Sequence, residues 1–210
     1  MALFPLFVEL AGRPCVVLGG GEVAERKVEG LLAAGAAVTV VSPALTPALA
    51  EHARRGRITH VRGGYAPGDL AGATLAFAAI DDGAINATVA AEGRARGVWV
   101  NAADDPANCD VILPALVRRG PVTVAVGTGG ASPALARAVR ERIELALPEA
   151  YGVLAEIAGD VRRELRGAGR RPSAEAWQQA LGEGLAALLD GDRRDEAALR
   201  VRARLVAACA

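Results

Sequence analysis

Neither sign of charge is in excess in this chain: 24 lysines and arginines face 24 aspartates and glutamates. Nucleic acids and anionic membrane surfaces are held largely by surplus positive charge, so neither is expected as a partner. Cysteine is scarce as well. Cys15, Cys109 and Cys209 are odd in number and widely separated, without the paired spacing of a zinc site or a disulfide framework. A reducing cytoplasm and no resident metal are expected, and the two histidines, His52 and His60, do not alter that. Long apolar runs are missing too. The opening residues lack a basic start and meet Pro5 and Glu9 too soon for a signal segment, and no later run reaches membrane-spanning length. Lysine is reduced to Lys27, which among so many arginines reads mostly as compositional background. What remains is substantial: 52% of 210 residues are hydrophobic, enough for a sizeable core in a dinucleotide-sized domain with a smaller addition.

The chain is organised around Cys15-Val16-Val17-Leu18-Gly19-Gly20-Gly21-Glu22-Val23-Ala24. An apolar run drops into glycines and a helical pattern begins, which reads as strand, turn and helix. Gly19 suits the tight turn, Gly21 lets a pyrophosphate approach the main chain, and Ala24 allows close packing of helix on strand. A glycine-rich turn can also be no more than a tight strand-to-helix connection. The helix expected over 22–34 carries Val23, Val28, Leu31 and Leu32 on one face and stops at Gly35. Its first amides, from Glu22 and Val23, would face the phosphates. The β-branched run 37–41 follows as a second strand, ending in Ser42-Pro43-Ala44. That corner has neither the acid that holds ribose hydroxyls nor an arginine for a 2′-phosphate, so these residues alone leave the cofactor open.

Further strands are expected at 6–10, 58–61, 74–80 and 98–100, with helices over 47–55 and 84–96. The run 74–80 is apolar throughout, as in a parallel strand covered on both faces. Asp81 and Asp82 at its end either contact a ligand or cap the next helix. The polar loop 101–110, following the strand at 98–100, is a site candidate. A hairpin of 111–117 with 122–126 comes next, then a helix over 133–147 with Ser132 as its cap and Pro133 at its first position. Beyond it only helical stretches are expected, at 151–166, 173–189 and 195–208. The fold class is α/β, a doubly wound parallel sheet of Rossmann type followed by a hairpin segment and a small helical domain.

Three segments together, Gly19-Gly-Gly-Glu-Val-Ala-Glu-Arg-Lys27, Asn101-Ala-Ala-Asp-Asp-Pro106 and Thr128-Gly-Gly-Ala-Ser-Pro-Ala-Leu-Ala136, resemble the siroheme synthase family in order and spacing. Within it the likeness is to the precorrin-2 dehydrogenase/sirohydrochlorin ferrochelatase module, over residues 3–148. The resemblance implies NAD-dependent oxidation of precorrin-2 to sirohydrochlorin, then insertion of ferrous iron as a substrate. It also implies a homodimer, with domains at 1–112 for NAD, 113–148 for dimerisation and 149–210 for the helical tail. The large methyltransferase domain of some members is not in this sequence, so synthesis of precorrin-2 itself is not expected.

By the same resemblance the key aspartate is Asp104, placed to accept the proton that leaves as a hydride goes to NAD. The same carboxylate can serve metallation; read without the family, it caps a turn. Cofactor contacts fall to Gly19, Gly21, Glu22, Val23, Ser42, Pro43 and Ala44, and tetrapyrrole contacts to Asn101, Thr128, Gly129 and Arg137, with Arg118, Arg119 and Arg140 as further partners for substrate carboxylates. A short-chain dehydrogenase would need a tyrosine with a lysine four residues on, but Asp69 follows Tyr65 and Ala155 follows Tyr151. A methyltransferase lacks its ribose acid at Ser42-Pro43. A regulatory module that binds NAD and assembles through its helices explains the glycine turn but leaves Asp104 and Thr128 without a purpose.

Overall fold

The computed structural model describes residues 3–182, 184–190 and 193–208. Cys209 lies outside them. Packing divides the chain into two units, one ending at Leu113 and the other beginning at Pro114.

The first unit is a five-stranded parallel sheet in the order β3-β2-β1-β4-β5. Its strands are β1 (Pro14–Leu18), β2 (Ala37–Ser42), β3 (Ile58–Arg62), β4 (Leu75–Ala78) and β5 (Trp99–Ala102). Helices α1 (Glu22–Ala33), α2 (Pro47–Arg54) and α3 (Gly83–Arg96) connect them. Alternating residues of β1 feed two separate cores, as a strand covered on both faces must. Cys15 and Val17 pack with Val28 and Leu31 of α1 and Leu49 of α2, whereas Val16 and Leu18 pack with Val89 of α3 and Val100 of β5. The chain reverses direction of travel across the sheet between β1 and β4, so the turn after β1 opens at the point where such sheets leave a crevice.

Local chemistry explains the boundaries. In α1 the buried residues are Ala24, Val28 and Leu31; Val23, expected on that face, is 36% exposed. Gly35 adopts φ +72° and ends the helix. Thr46 and Pro47 start α2, the hydroxyl accepting from the Leu49 N–H at 3.3 Å. Asp82 caps α3, accepting from Ala84 N at 2.9 Å and Ile85 N at 3.2 Å, which resolves the choice left open for that acid. The strand expected at 6–10 does not form. Both ladders of β1 are taken by β2 and β4, so 6–10 runs as an irregular segment with Phe7 75% exposed and Leu10 buried. Asn101 and Ala102, expected in a loop, extend β5 instead.

The second unit contains the antiparallel pair β6 (Ala115–Arg119) and β7 (Val122–Val126), then α4 (Pro133–Ala146), α5 (Ala150–Gly167), α6 (Ala174–Ala180), α7 (Leu185–Asp190) and α8 (Arg194–Ala207). The helix expected over 173–189 is thus two helices. Ile157, Val161 and Leu165 of α5 form a core with Leu185 and Leu188 of α7 and Ala197, Val201 and Leu205 of α8. Against the β6–β7 turn α5 brings Gly152, where a Cβ would come within 2.6 Å of the Arg119 carbonyl carbon. Among the described residues no helix is long and apolar enough to cross a membrane.

Candidate active site

The glycine turn is built by three different constraints. Gly19 has φ +112°, and a Cβ there would run into the carbonyl oxygen of Ala79 at the end of β4. Gly20 was not singled out from sequence, yet it is the tightest of the three: a Cβ would overlap the Ala44 carbonyl oxygen and stand 2.5 Å from Ser42 Oγ. Gly21 is the opposite case. Its backbone is extended, at φ −87° and ψ −171°, and a Cβ on it would meet no atom within 4 Å. Gly21 is also the N-cap of α1, and no side chain caps that helix. The turn therefore presents first-turn amides to an open space, which fits a phosphate. Glu22 and Val23 are exposed at this end of α1. At Glu22 the amide is the useful group, because its carboxylate would repel a phosphate.

A cavity of about 340 Å³ lies beside the turn, lined by Gly20, Gly21 and the stretch from Ser42 to Thr46. Ser42, assigned to the cofactor from its place at the end of β2, is among the lining residues. It is buried; its hydroxyl donates to Ala44 O at 2.5 Å and shapes the Pro43-Ala44 corner. Pro43 and Ala44 are exposed and form the cavity wall. Thr46 Oγ1 donates to Glu25 Oε2 at 2.6 Å, tying α2 to α1 across the opening. Sequence neighbours of Ser42 include no arginine, but Arg62 stands level with Ser42 on β3 and is exposed.

After β5, Asp104 is the one non-glycine residue with positive φ, +56°, among the described residues. Aspartate tolerates this left-handed conformation better than most residues, but it still costs on the order of 1 kcal/mol. The surrounding loop enforces it. Ala103 N donates to Ala78 O at 2.8 Å, and Asp110 N donates to Val100 O at 2.8 Å. The Cys109 thiol stands 3.2 Å from Ala102 O and accepts from Ala102 N at 3.2 Å. Burial pushes the Cys109 thiol up in pKa, so it is held as a protonated strut. Asn101 is part of the same brace: it is buried, and its amide donates to Val111 O at 2.9 Å. Asp104 itself remains exposed at the carboxyl end of β5.

Lys27 was set aside as background, and the structure gives it a place. Its Nζ lies 5.5 Å from the centroid of the Phe77 ring on β4. Burial and the like charge of Arg26 hold its pKa below the ordinary lysine value, opposed by the charges of Asp104 and Cys109. The signal that could have found it is a lysine surviving alone in an arginine-rich chain.

Thr128, Gly129 and Arg137 belong to the second unit. Thr128 Oγ1 accepts from Ser132 N at 3.1 Å and donates to Ser132 O at 3.1 Å, closing the turn that leads into α4. Gly129 and Gly130 have φ +63° and +85°. Arg137 and Arg118 are exposed. Arg119 is not a free cation: it donates to Leu147 O at 3.0 Å and Glu144 O at 3.1 Å, capping the end of α4, and pairs with Glu149 at 3.1 Å. Arg140 is paired with Glu144 and Glu141 on its own helix.

A parallel sheet whose first strand ends in this uncapped glycine turn defines a dinucleotide-binding protein. The comparisons narrow the class. The NAD(P)-binding family model matches residues 6–115, just over half the chain, and that of the sirohaem biosynthesis protein central region matches residues 119–145. A siroheme synthase of Methylobacillus flagellatus is 47% identical over 166 residues, covering 79% of this chain and 36% of the relative. That of Methylococcus capsulatus is 46% identical over 203 residues, covering 96% of this chain and 43% of the relative. The chain thus spans less than half the length of these curated relatives. Its fold matches the solved structure of SirC, a precorrin-2 dehydrogenase, with a TM-score of 0.71 at 24% identity, over 97% of this chain and 98% of that one. The chain belongs to the NAD(P)-binding family, and over most of its length it is similar to part of the siroheme synthases.

Proposed function

We propose that the chain catalyses NAD-dependent oxidation of precorrin-2 to sirohydrochlorin, with Asp104 as proton acceptor. The observation that carries this reading is Asp104 itself, an exposed carboxylate held in a costly left-handed conformation at the carboxyl end of β5. NAD supplies a hydride acceptor when bound. The Gly19–Gly21 turn and first-turn amides of α1 hold its pyrophosphate, and Pro43 and Ala44 wall its adenosine end. Oxidation removes a hydride and a proton from the substrate, and the Asp104 carboxylate takes the proton. The same carboxylate serves the later exchange of two pyrrole protons for ferrous iron, which is a substrate and not a resident metal.

From the second unit, Thr128 is assigned to the tetrapyrrole by resemblance, and Gly129, Arg137 and Arg118 are assigned to its acetate and propionate groups as amide and guanidinium donors. The protein works as a cytoplasmic homodimer assembled through residues 113–147, where Leu116, Leu135, Val139 and Leu145 are exposed apolar residues. Light scattering tests this: a monomeric mass at micromolar concentration would contradict it. For the activity, purified protein is given enzymatically made precorrin-2 with NAD or NADP, and then ferrous iron. Oxidation with NAD, followed by the absorbance change of metallation, is the expected result. Tight NAD binding without turnover would instead mark a nucleotide-binding regulatory module.

A further inference from the structure

The corner that walls the cofactor cavity begins with the peptide joining Ser42 to Pro43. Proline contributes no N–H, so that peptide can be held only through its carbonyl. The Ser42 carbonyl oxygen accepts from Gly63 N at 3.3 Å and from His60 Nε2 at 2.9 Å. A carbonyl oxygen only accepts, so the neutral His60 ring carries its proton on Nε2. In the ladder His60 is level with Val40, and its half-buried side chain reaches past that partner toward the end of β2 to make this bond. On the edge strand β3 a histidine is free to turn its ring to water. Here the ring is turned to a peptide that has no N–H of its own.

On its other side the corner is fitted closely to the glycine turn. Ala44 O accepts from Ser42 Oγ at 2.5 Å and stands where a Cβ on Gly20 would be, so corner and turn have no room to move toward each other. Thr46 N donates to Gly20 O at 2.9 Å. His60 therefore closes a line of contacts running from β3 through the corner to the turn assigned to the pyrophosphate. Among the described residues, Glu25 on Thr46 is the one other side chain from outside residues 42–46 that hydrogen-bonds to them.

We propose that His60 is a positioning residue for the adenosine end of the cofactor: its Nε2–H fixes the Ser42–Pro43 peptide, so that Pro43 and Ala44 stand preformed as the wall of the cavity. A wall already in place leaves less to be ordered on binding, and affinity gains by that difference. The proposal deepens the cofactor assignment above and rests on it.

The chain has two histidines, so the ring can be observed directly. In ¹⁵N-labelled full-length protein, two-bond ¹H–¹⁵N spectra should show the neutral His60 ring as the Nε2–H tautomer, the His52 signals being identified in His52→Gln. An Nδ1–H tautomer at His60 overturns the proposal without any variant at that position. Binding is read by calorimetric titration with ADP-ribose, which carries the adenosine and pyrophosphate of NAD without the nicotinamide. His60→Leu removes the donor and should weaken ADP-ribose about three- to tenfold, the effect of one neutral hydrogen bond. His60→Gln keeps an N–H of similar reach and should restore most of that affinity. In turnover with precorrin-2, His60→Leu should act on KM for NAD rather than on kcat. Equal ADP-ribose affinity in the wild type and a folded His60→Leu protein overturns the proposal, as does a loss that His60→Gln fails to restore. If the wild type itself binds no ADP-ribose, the cofactor assignment fails and the proposal falls with it.

Discussion

Placing an aspartate at Gly21 separates ligand binding from folding more cleanly than most glycine substitutions can. The backbone there is extended, a Cβ meets no atom within 4 Å, and the position is the N-cap of α1. Aspartate is among the preferred N-cap residues, so Gly21→Asp should leave stability unchanged or raise it by a few tenths of a kcal/mol. Its carboxylate would occupy the space assigned to the pyrophosphate. Two like unit charges ~5 Å apart at an effective dielectric of ~20 repel by about 3 kcal/mol, roughly a 10²-fold loss of NAD affinity. Gly21→Asn supplies the same bulk without the charge and should lose much less. Calorimetric titration with NAD measures both, and added salt should narrow the gap between them, because exposed charges are screened. If Gly21→Asp is folded and binds NAD within about threefold of the wild type, the pyrophosphate does not sit at this turn and the cofactor assignment is wrong.

Gly20→Ala should do the reverse, because its Cβ is driven into backbone at Ala44: a loss of about 2–3 kcal/mol, read as a lowered thermal midpoint, is expected, and an unchanged midpoint would contradict the close approach. Arg62→Gln should weaken NADP binding more than NAD binding, since Arg62 is the cation level with Ser42; equal effects on the two cofactors would exclude it from 2′-phosphate recognition. The Tyr65–Glu92 pair should impose two pH limbs on stability. Burial and the 2.5 Å hydrogen bond to Glu92 push Tyr65 up to about 12 from an ordinary 10.0. Between those values the unfolded state has released a proton that the folded state keeps, so stability falls as pH rises through that window. Burial alone would raise Glu92, but hydrogen bonds from Tyr65 and Gly68 N and the charge of Arg96 outweigh it and hold the carboxyl below 4.5. That contribution is present above 4.5 and fades as pH falls below it. Urea denaturation across pH should show both limbs flattened in Tyr65→Phe; slopes identical to the wild type's would contradict the pairing.

The first unit was readable because its signals are local. The β-branched run at 37–41, the apolar run at 74–80 and the glycines at 19–21 each constrain the backbone where they stand. The segment 6–10 misled because alternation shows only that a strand could form, whereas pairing depends on whether a ladder is vacant, and β2 and β4 leave none beside β1. Ser42 and Asn101 illustrate a different limit. Their side chains make hydrogen bonds to Ala44 and Val111 that shape the backbone around them, and motif spacing carries no sign of those bonds. Arg119 was hidden for the same reason, since the carbonyls it caps are 25 and 28 residues away. Arg62 was missed because its place lies across a strand pair, in register with Ser42, a position remote in the chain.

The most direct test of the account is the rate of NADH formation from precorrin-2 by the wild type and by Asp104→Asn. Asparagine keeps the left-handed turn but cannot accept the proton. The account predicts that the wild type oxidises precorrin-2 with NAD, and that Asp104→Asn binds NAD equally well while its rate falls by ~10²–10⁴. A folded Asp104→Asn protein that forms NADH at the wild-type rate would contradict it.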